Sequence, residues 1–213
     1  MQVLHVNRAL PRTIHLEGRK VLTGIYKEPV SGPVPVHQLG LEGDGQADHR
    51  YHGGEHQAVY AYPAEHYVFW ENELAVPSLP PGTFGENLTV NGLLETDVCV
   101  GDIHRMGKLV VQVTSTRLPC FKLGHKLQRP DILKPFLHSG RSGYYLRVLE
   151  EGSVAAGSAV EIIAREPSRI SVRALLGMQR LGEGTRESIE ALLKIEALAP
   201  LARQDLEARL DRM

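Results

Sequence analysis

The chain is poor in sulfur and in any imbalance of charge. Its 213 residues hold two cysteines, four methionines and one tryptophan. A chain this long builds a core that stands without a crosslink, so Cys99 and Cys120 do not define a disulfide scaffold, and each thiol is read on its own. Lys and Arg number 24 against 25 Asp and Glu, for a formal net charge of −1. With no basic block, the electrostatic footprint of a nucleic-acid binder is missing. No stretch approaches the roughly 20 apolar residues of a membrane span. The start MQVLHVNRAL lacks the basic-then-apolar layout of a secretion signal. The expectation is a globular, cytoplasmic protein with neither nucleic acid nor membrane as partner. Internal repeats and low-complexity tracts are lacking too, and 42% hydrophobic with 23% charged residues excludes disordered and fibrous classes.

What is present, up to about residue 165, is a series of short apolar runs broken by Gly, Pro and Asn. This texture belongs to many short strands in a barrel or sandwich. The clearest strands are 20–26, 33–37, 109–115, 144–150 and 158–164, rich in β-branched and aromatic residues. Helical stretches interrupt them after Pro63 through Leu74, from Cys120 to Leu127, and from Asp131 to His138, the last shortened by Pro135. Beyond Pro167 the apolar spacing turns helical in three segments, 170–180, 185–198 and 200–210. The predicted class is mainly β with α, organised as a β-domain over 1–167 with short inserted helices and a three-helix C-terminal module over 168–213. Acidic Glu183, Glu187, Glu190 and Asp205 alternate with Arg173, Arg180, Arg186 and Arg203. That mixture fits a packing or docking module rather than a helix-turn-helix reader.

Four strings carry candidate chemistry. His49-Arg50-Tyr51-His52-Gly53-Gly54-Glu55-His56 invites a zinc reading. However, two consecutive glycines cost roughly 1 kcal/mol each inside a helix, so the segment is a loop whose backbone can approach a ligand. His52 is its candidate functional residue, and Asp44 and Asp48 beside glycines read as turn-formers. Pro81 to Leu88 is laid out to expose backbone N–H groups and the Asn87 amide, as an ordinary loop entering a strand also would. Cys120 follows Pro119 at a strand-to-helix junction, with Arg117 and Lys122 nearby. Positive charge and a helix start favour the thiolate, which binds soft metals or acts as a nucleophile. Cys99, flanked by valines, reads as an inert core residue. Arg141, in Ser139-Gly140-Arg141-Ser142-Gly143, is either a phosphate fork or a solvated loop arginine.

Seven strings in order resemble the MOSC domain, the module named for the C-terminal part of molybdenum-cofactor sulfurases, and more closely its hydroxylaminopurine-resistance subfamily. They are Thr23 to Val30, Gly40 to Asp44, Gln46 to Gly54, Gly85-Glu86-Asn87-Leu88, Val100-Gly101-Asp102, Pro119 to Leu123, and Ser139-Gly140-Arg141. The likeness covers nearly the whole chain, including the C-terminal helices. It implies a β-barrel related to the pyruvate-kinase barrel domain and a pyranopterin molybdenum cofactor, with the family's signature cysteine, the metal ligand, falling on Cys120. The implied chemistry is reduction of N-hydroxylated compounds to amines: 6-hydroxylaminopurine-type base analogues, amidoximes and hydroxylamines. Electrons come from a separate flavoprotein or other reductase, and a homodimer is left open. Pyridoxal phosphate is not expected.

The same resemblance gives Lys27, Arg117 and Arg141 as holders of the cofactor phosphate, Asn87 and the Gly53-Gly54 backbone as pterin contacts, and His52 as a residue lining the substrate side or donating a proton. The protein's share is to hold, orient and tune the centre. One departure stands out: Arg50 and Tyr51 separate His49 from His52, where relatives place two histidines side by side. The alternative is a carrier or sensor that binds the cofactor, or a sulfur or anionic species, without turnover.

Overall fold

The computed structural model describes residues 1–16, 18–47 and 53–213. The first half contributes β1 (Gln2–Arg8), β2 (Arg12–Leu16), β3 (Arg19–Thr23), β4 (Glu28–Val30), β5 (Val34–His37), β6 (Gly40–Leu41), β7 (Val59–Pro63), α1 (Tyr67–Leu74) and β8 (Leu88–Asn91). The middle adds β9 (Ile103–Met106), β10 (Leu109–Thr116), α2 (Phe121–Lys126), α3 (Leu133–Ser139), β11 (Tyr144–Glu150), β12 (Gly152–Val154) and β13 (Glu161–Ala164). Three further helices end the chain: α4 (Val172–Leu176), α5 (Arg186–Leu193) and α6 (Pro200–Leu210).

Eight strands form one sheet in the order β13-β9-β10-β11-β7-β8-β1-β4. β7 and β8 run parallel, so the chain between them must cross over. That crossover carries α1 and the loop that reaches the site described below. β5, β6 and β12 make a second small sheet, and β2 with β3 a hairpin.

The barrel expected from sequence is not closed by a ladder, because β13 and β4 remain as edges among the described residues. The far end of the sheet returns to β1 through one isolated bridge, Gln2 to Ala159. Hydrogen bonds from Val3 N to Ser158 O (2.9 Å) and from Val160 N to Met1 O (3.1 Å) join the same segments. The physical reason is local. Residues 155–158 form a turn, with Ser158 N donating to Ala155 O and Gly157 at φ +89°, so the run expected as a strand over 158–164 is regular only from Glu161.

β10 is buried on both faces over nearly its whole length, which explains its continuous apolar run. One face meets the valine-rich core of the sheet. The other receives the C-terminal helices, and Ala199 N donates to Thr114 O at 3.0 Å. Those helices bury Leu175, Ile189, Leu192, Leu198 and Leu206 around Val100. α4 runs into a wide π turn over Gly177–Leu181, and α5 starts with a capping box between Thr185 and Ser188.

An aromatic cluster of Tyr60, Tyr62, Trp70, Phe84 and Phe136 lies beneath α2 and α3, with Leu123 of α2 buried in it. Phe84 stacks on Tyr62 with ring centroids 4.4 Å apart, and Trp70 on Phe136 at 5.2 Å. The strand expected over 20–26 stops at Thr23. A Cβ on Gly24 would lie 2.3 Å from Gly45 O, so the chain leaves the hairpin there to make a close backbone pass.

Candidate functional site

That pass opens a hollow. The loop from Thr23 to Lys27, the turn from Asp44 to Ala47, the crossover loop at Phe84 to Asn87, and the β10-to-α2 corner enclose a cavity of about 650 Å³ of empty space, open to solvent. Arg117, Cys120 and Lys122 all line it, so the corner singled out in the sequence is brought to a cavity wall. Cys120 is half-buried and in no disulfide. It occupies the position before α2 with extended backbone, φ −130° and ψ 169°. α2 has only six residues, so the cationic side chains dominate the local field.

Arg117 is 4% exposed. Its guanidinium carbon lies 5.5 Å from the Tyr60 ring centroid and 5.3 Å from that of Phe136, and its Nη1 is buried with no hydrogen-bond partner. A guanidinium never sheds its charge, and buried polar groups are almost always paired. An unengaged donor on a cavity wall therefore marks a place for an anionic acceptor.

Lys27 also lines the cavity, but with a counter-ion. Its Nζ lies 2.5 Å from both carboxylate oxygens of Asp44, with the side chains 8% and 6% exposed. Burial pulls the Lys27 pKa below its ordinary value, against the opposing pull of Asp44. Asp44 further accepts from Ala9 N at 2.9 Å and Asn87 Nδ2 at 2.8 Å. The turn-former of the sequence reading is thus also the electrostatic centre of one wall. Asn87 reaches the cavity as expected, but its Oδ1 already accepts from Tyr60 N at 3.0 Å.

The glycine pair is engaged as well. Gly53 N donates to Gln57 Oε1 at 3.2 Å and Gly54 N to Gln46 Oε1 at 3.1 Å. Gly53 lines the cavity, whereas Gly54 is not in its wall. Gly53 has φ +129°, a backbone conformation that L side chains rarely adopt, and a Cβ there would press on the Gln46 side chain. Arg141 is placed elsewhere, its guanidinium carbon 4.0 Å from the Phe69 ring centroid and its Nη1 donating to Ser139 O. His52, with Asp48, His49, Arg50 and Tyr51, lies outside the described residues. Cys99 is 3% exposed, and burial, aided by Asp102, raises its thiol pKa, in keeping with an inert core residue.

Sequence reasoning missed Lys126, Gln46, Gln57 and Glu86. Lys126 Nζ donates to Ile25 O at 2.9 Å and Gly82 O at 2.5 Å, tying two cavity loops to α2. Burial lowers its pKa to about 8, with Glu86 opposing and the neighbouring cations Lys27 and Arg117 reinforcing. Its position four residues after Lys122 was a readable signal, since that spacing puts both on one helix face. Glu86 shapes the crossover loop by accepting from Gly82 N at 2.8 Å, Phe84 N at 3.1 Å and Tyr67 OH.

Among the described residues no group of three or more His, Cys, Asp or Glu is placed to hold a metal ion, and no helix is long and apolar enough to cross a membrane. One soft sulfur in the same wall as a buried guanidinium whose Nη1 has no hydrogen-bond partner suits a metal that arrives within an anionic organic cofactor.

Comparison with known proteins places the chain in a family. Residues 48–161 match the MOSC domain. The chain is 46% identical over 171 residues to the uncharacterized protein YflK of Bacillus subtilis (strain 168), covering 80% of this chain and 77% of that protein. It is 34% identical over 167 residues, 77% of its length, to a much longer protein of Gibberella moniliformis named Reductase, of which it spans 29%. The crystal structure of YiiM from Geobacillus stearothermophilus superposes with a TM-score of 0.83 at 35% identity, covering 98% of both chains.

Proposed function

This chain belongs to the MOSC domain family, and from that premise we propose that it is a molybdenum-cofactor oxidoreductase that reduces N-hydroxylated compounds such as hydroxylaminopurines, hydroxylamines and amidoximes to amines. The observation that carries the reading is the buried Arg117 Nη1 without a partner, in the wall that also holds Cys120.

The residues present fit the group. Cys120 Sγ is the soft ligand. Arg117 holds the phosphate by charge-assisted bonds, with the charge of Lys126 behind it. When bound, the molybdenum cofactor supplies two-electron redox chemistry that protein side chains lack. The overall change is balanced: R–NHOH takes two electrons and two protons, the N–O bond breaks, and R–NH₂ and water leave. A separate reductase of the flavoprotein class supplies the electrons. Lys122, whose side chain lines the cavity beside Cys120, is assigned to deliver a proton to the departing oxygen. The aromatic floor and the Glu86-shaped loop keep this wall rigid, so that the sulfur is held in place before any ligand arrives.

Protein expressed in a host that makes the cofactor should carry close to one molybdenum per chain and reduce 6-hydroxylaminopurine with a reduced viologen dye as artificial donor. Cys120→Ala should lose both metal and turnover. A variant that kept both would overturn the assignment. A wild-type protein that held the metal yet reduced nothing would instead support the carrier reading.

A further inference from the structure

The wall that holds Cys120 has a second side. Cys120, Lys122 and Tyr145 also border a larger groove, of about 1800 Å³ of empty space, between the β2–β3 hairpin, the start of α2 and the C-terminal helices. We propose that this groove is the cleft for the N-hydroxylated substrate, and that Gln179 and Leu201 of the C-terminal helices determine which substrates fit. The inference rests on the function proposed above and adds to it where the substrate lies and what reads it.

Three observations carry it. First, the groove meets the cationic cavity at Cys120, so a molecule in it reaches the metal ligand without crossing the phosphate-holding charges. Second, Leu22 of the hairpin, Phe121 of α2 and Leu201 of α6 are 48%, 49% and 41% exposed, and all three line the groove. Apolar side chains left in water by three separate elements, gathered round one concavity, are the usual lining of a small-molecule cleft. Third, two groove residues keep a buried oxygen without a hydrogen-bond partner, Ser115 Oγ and Gln179 Oε1. Gln179 Nε2 donates to Asp205 Oδ2 at 3.1 Å, which leaves the Oε1 acceptor without a partner.

The polar groups also differ between the two hollows. In the groove Arg180 pairs with Asp205 at 2.6 Å and Lys20 and Lys122 line the wall as well, whereas in the cavity Arg117 Nη1 is buried without a hydrogen-bond partner. The cavity suits an anion. The groove suits a flat heterocycle that stacks on its apolar side chains and offers N–H donors to Gln179 and Ser115, as an N-hydroxylated aminopurine does. Gln179 sits in the wide π turn after α4, a feature often found at functional sites.

The test uses the full-length, cofactor-loaded protein and 6-hydroxylaminopurine as probe, with binding measured by calorimetry. Leu201→Trp should weaken binding at least tenfold and raise KM for the purine more than KM for hydroxylamine. Gln179→Ala, which gives up one hydrogen bond to Asp205 and leaves the apolar cluster of the C-terminal helices intact, should weaken purine binding severalfold even if the tryptophan variant fails to fold. Leu39→Trp, at an exposed position outside both hollows, should bind as the wild type does. Wild-type affinity in Leu201→Trp and Gln179→Ala, or no purine binding by the wild type, overturns the inference. Purine binding that both variants abolish, in a protein that never reduces the purine, would refute the proposed reaction and leave the cleft standing.

Discussion

Replacing Asp44 by Asn removes one charge from the buried pair with Lys27 while keeping an oxygen for Ala9 N. Both side chains are more than nine-tenths buried, so solvent can do little to compensate. Breaking such a pair from one side costs about 3–5 kcal/mol. The ceiling has a chemical origin: Lys27 can escape its unpaired charge by releasing its proton, and from the ordinary lysine value that costs about 4.6 kcal/mol at pH 7. A chain of this length loses roughly 2–4 °C of Tm per kcal/mol, so a fall on the order of 10 °C is expected. The pH dependence is the sharper signature. Burial already lowers the Lys27 pKa, and losing Asp44 lowers it further. The deficit of Asp44→Asn therefore narrows as pH climbs from neutral toward the folded wild-type value, where neither protein carries the charge. Lys27→Met/Asp44→Asn, with both charges gone, should recover most of the loss. Tm from circular dichroism between pH 6 and 10 measures all three. A deficit below 1 kcal/mol, or one unchanged across that range, would refute the argument.

Arg117→Met should lower the affinity of cofactor-free protein for inorganic phosphate roughly 10- to 100-fold, the equivalent of one charged hydrogen bond of about 1.5–3 kcal/mol, with partial rescue by Arg117→Lys. Unaltered phosphate affinity by calorimetry would remove Arg117 from the anion site. His104 is fully buried with neither ring nitrogen bonded, and burial lowers its pKa from 6.5 to about 4. The unfolded chain takes up that proton first, so stability present above pH 6.5 drains away as pH falls to about 4, by about 3 kcal/mol in all. His104→Leu should flatten the Tm curve over that window, and a slope equal to the wild type would count against the assignment.

The sequence showed what local rules control. The runs 109–115 and 144–150 became strands, over Leu109–Thr116 and Tyr144–Glu150. Helix starts at Cys120 and beyond Pro167 followed from proline placement and apolar spacing. Cys120 reached a cavity wall because its strand-to-helix corner is local as well. What sequence could not show depends on distant pairing. Lys27 finds Asp44 seventeen positions away, and two residues each judged alone gave one phosphate holder and one turn. Gly53 and Gly54 were read as open backbone, but the Gln46 and Gln57 amides fill that space first. Arg141 was an even choice between a phosphate fork and a loop arginine, and its place over Phe69 depends on a helix far off in sequence. Sheet closure hinges on how 155–160 meets β1, which no periodicity encodes. The helices of 168–213 were legible one by one, whereas the groove they form with the hairpin exists only after docking.

The aromatic floor gives the protein a built-in reporter. Trp70 is the single indole of the chain, fully buried, and its Nε1–H is held by Tyr62 OH at 2.7 Å within the cluster that seats α2 and α3. Its emission therefore comes from one known place, directly under the segment that begins at Cys120. Light from that one indole, excited selectively over the seven tyrosines, registers loosening of the Cys120 corner without any label.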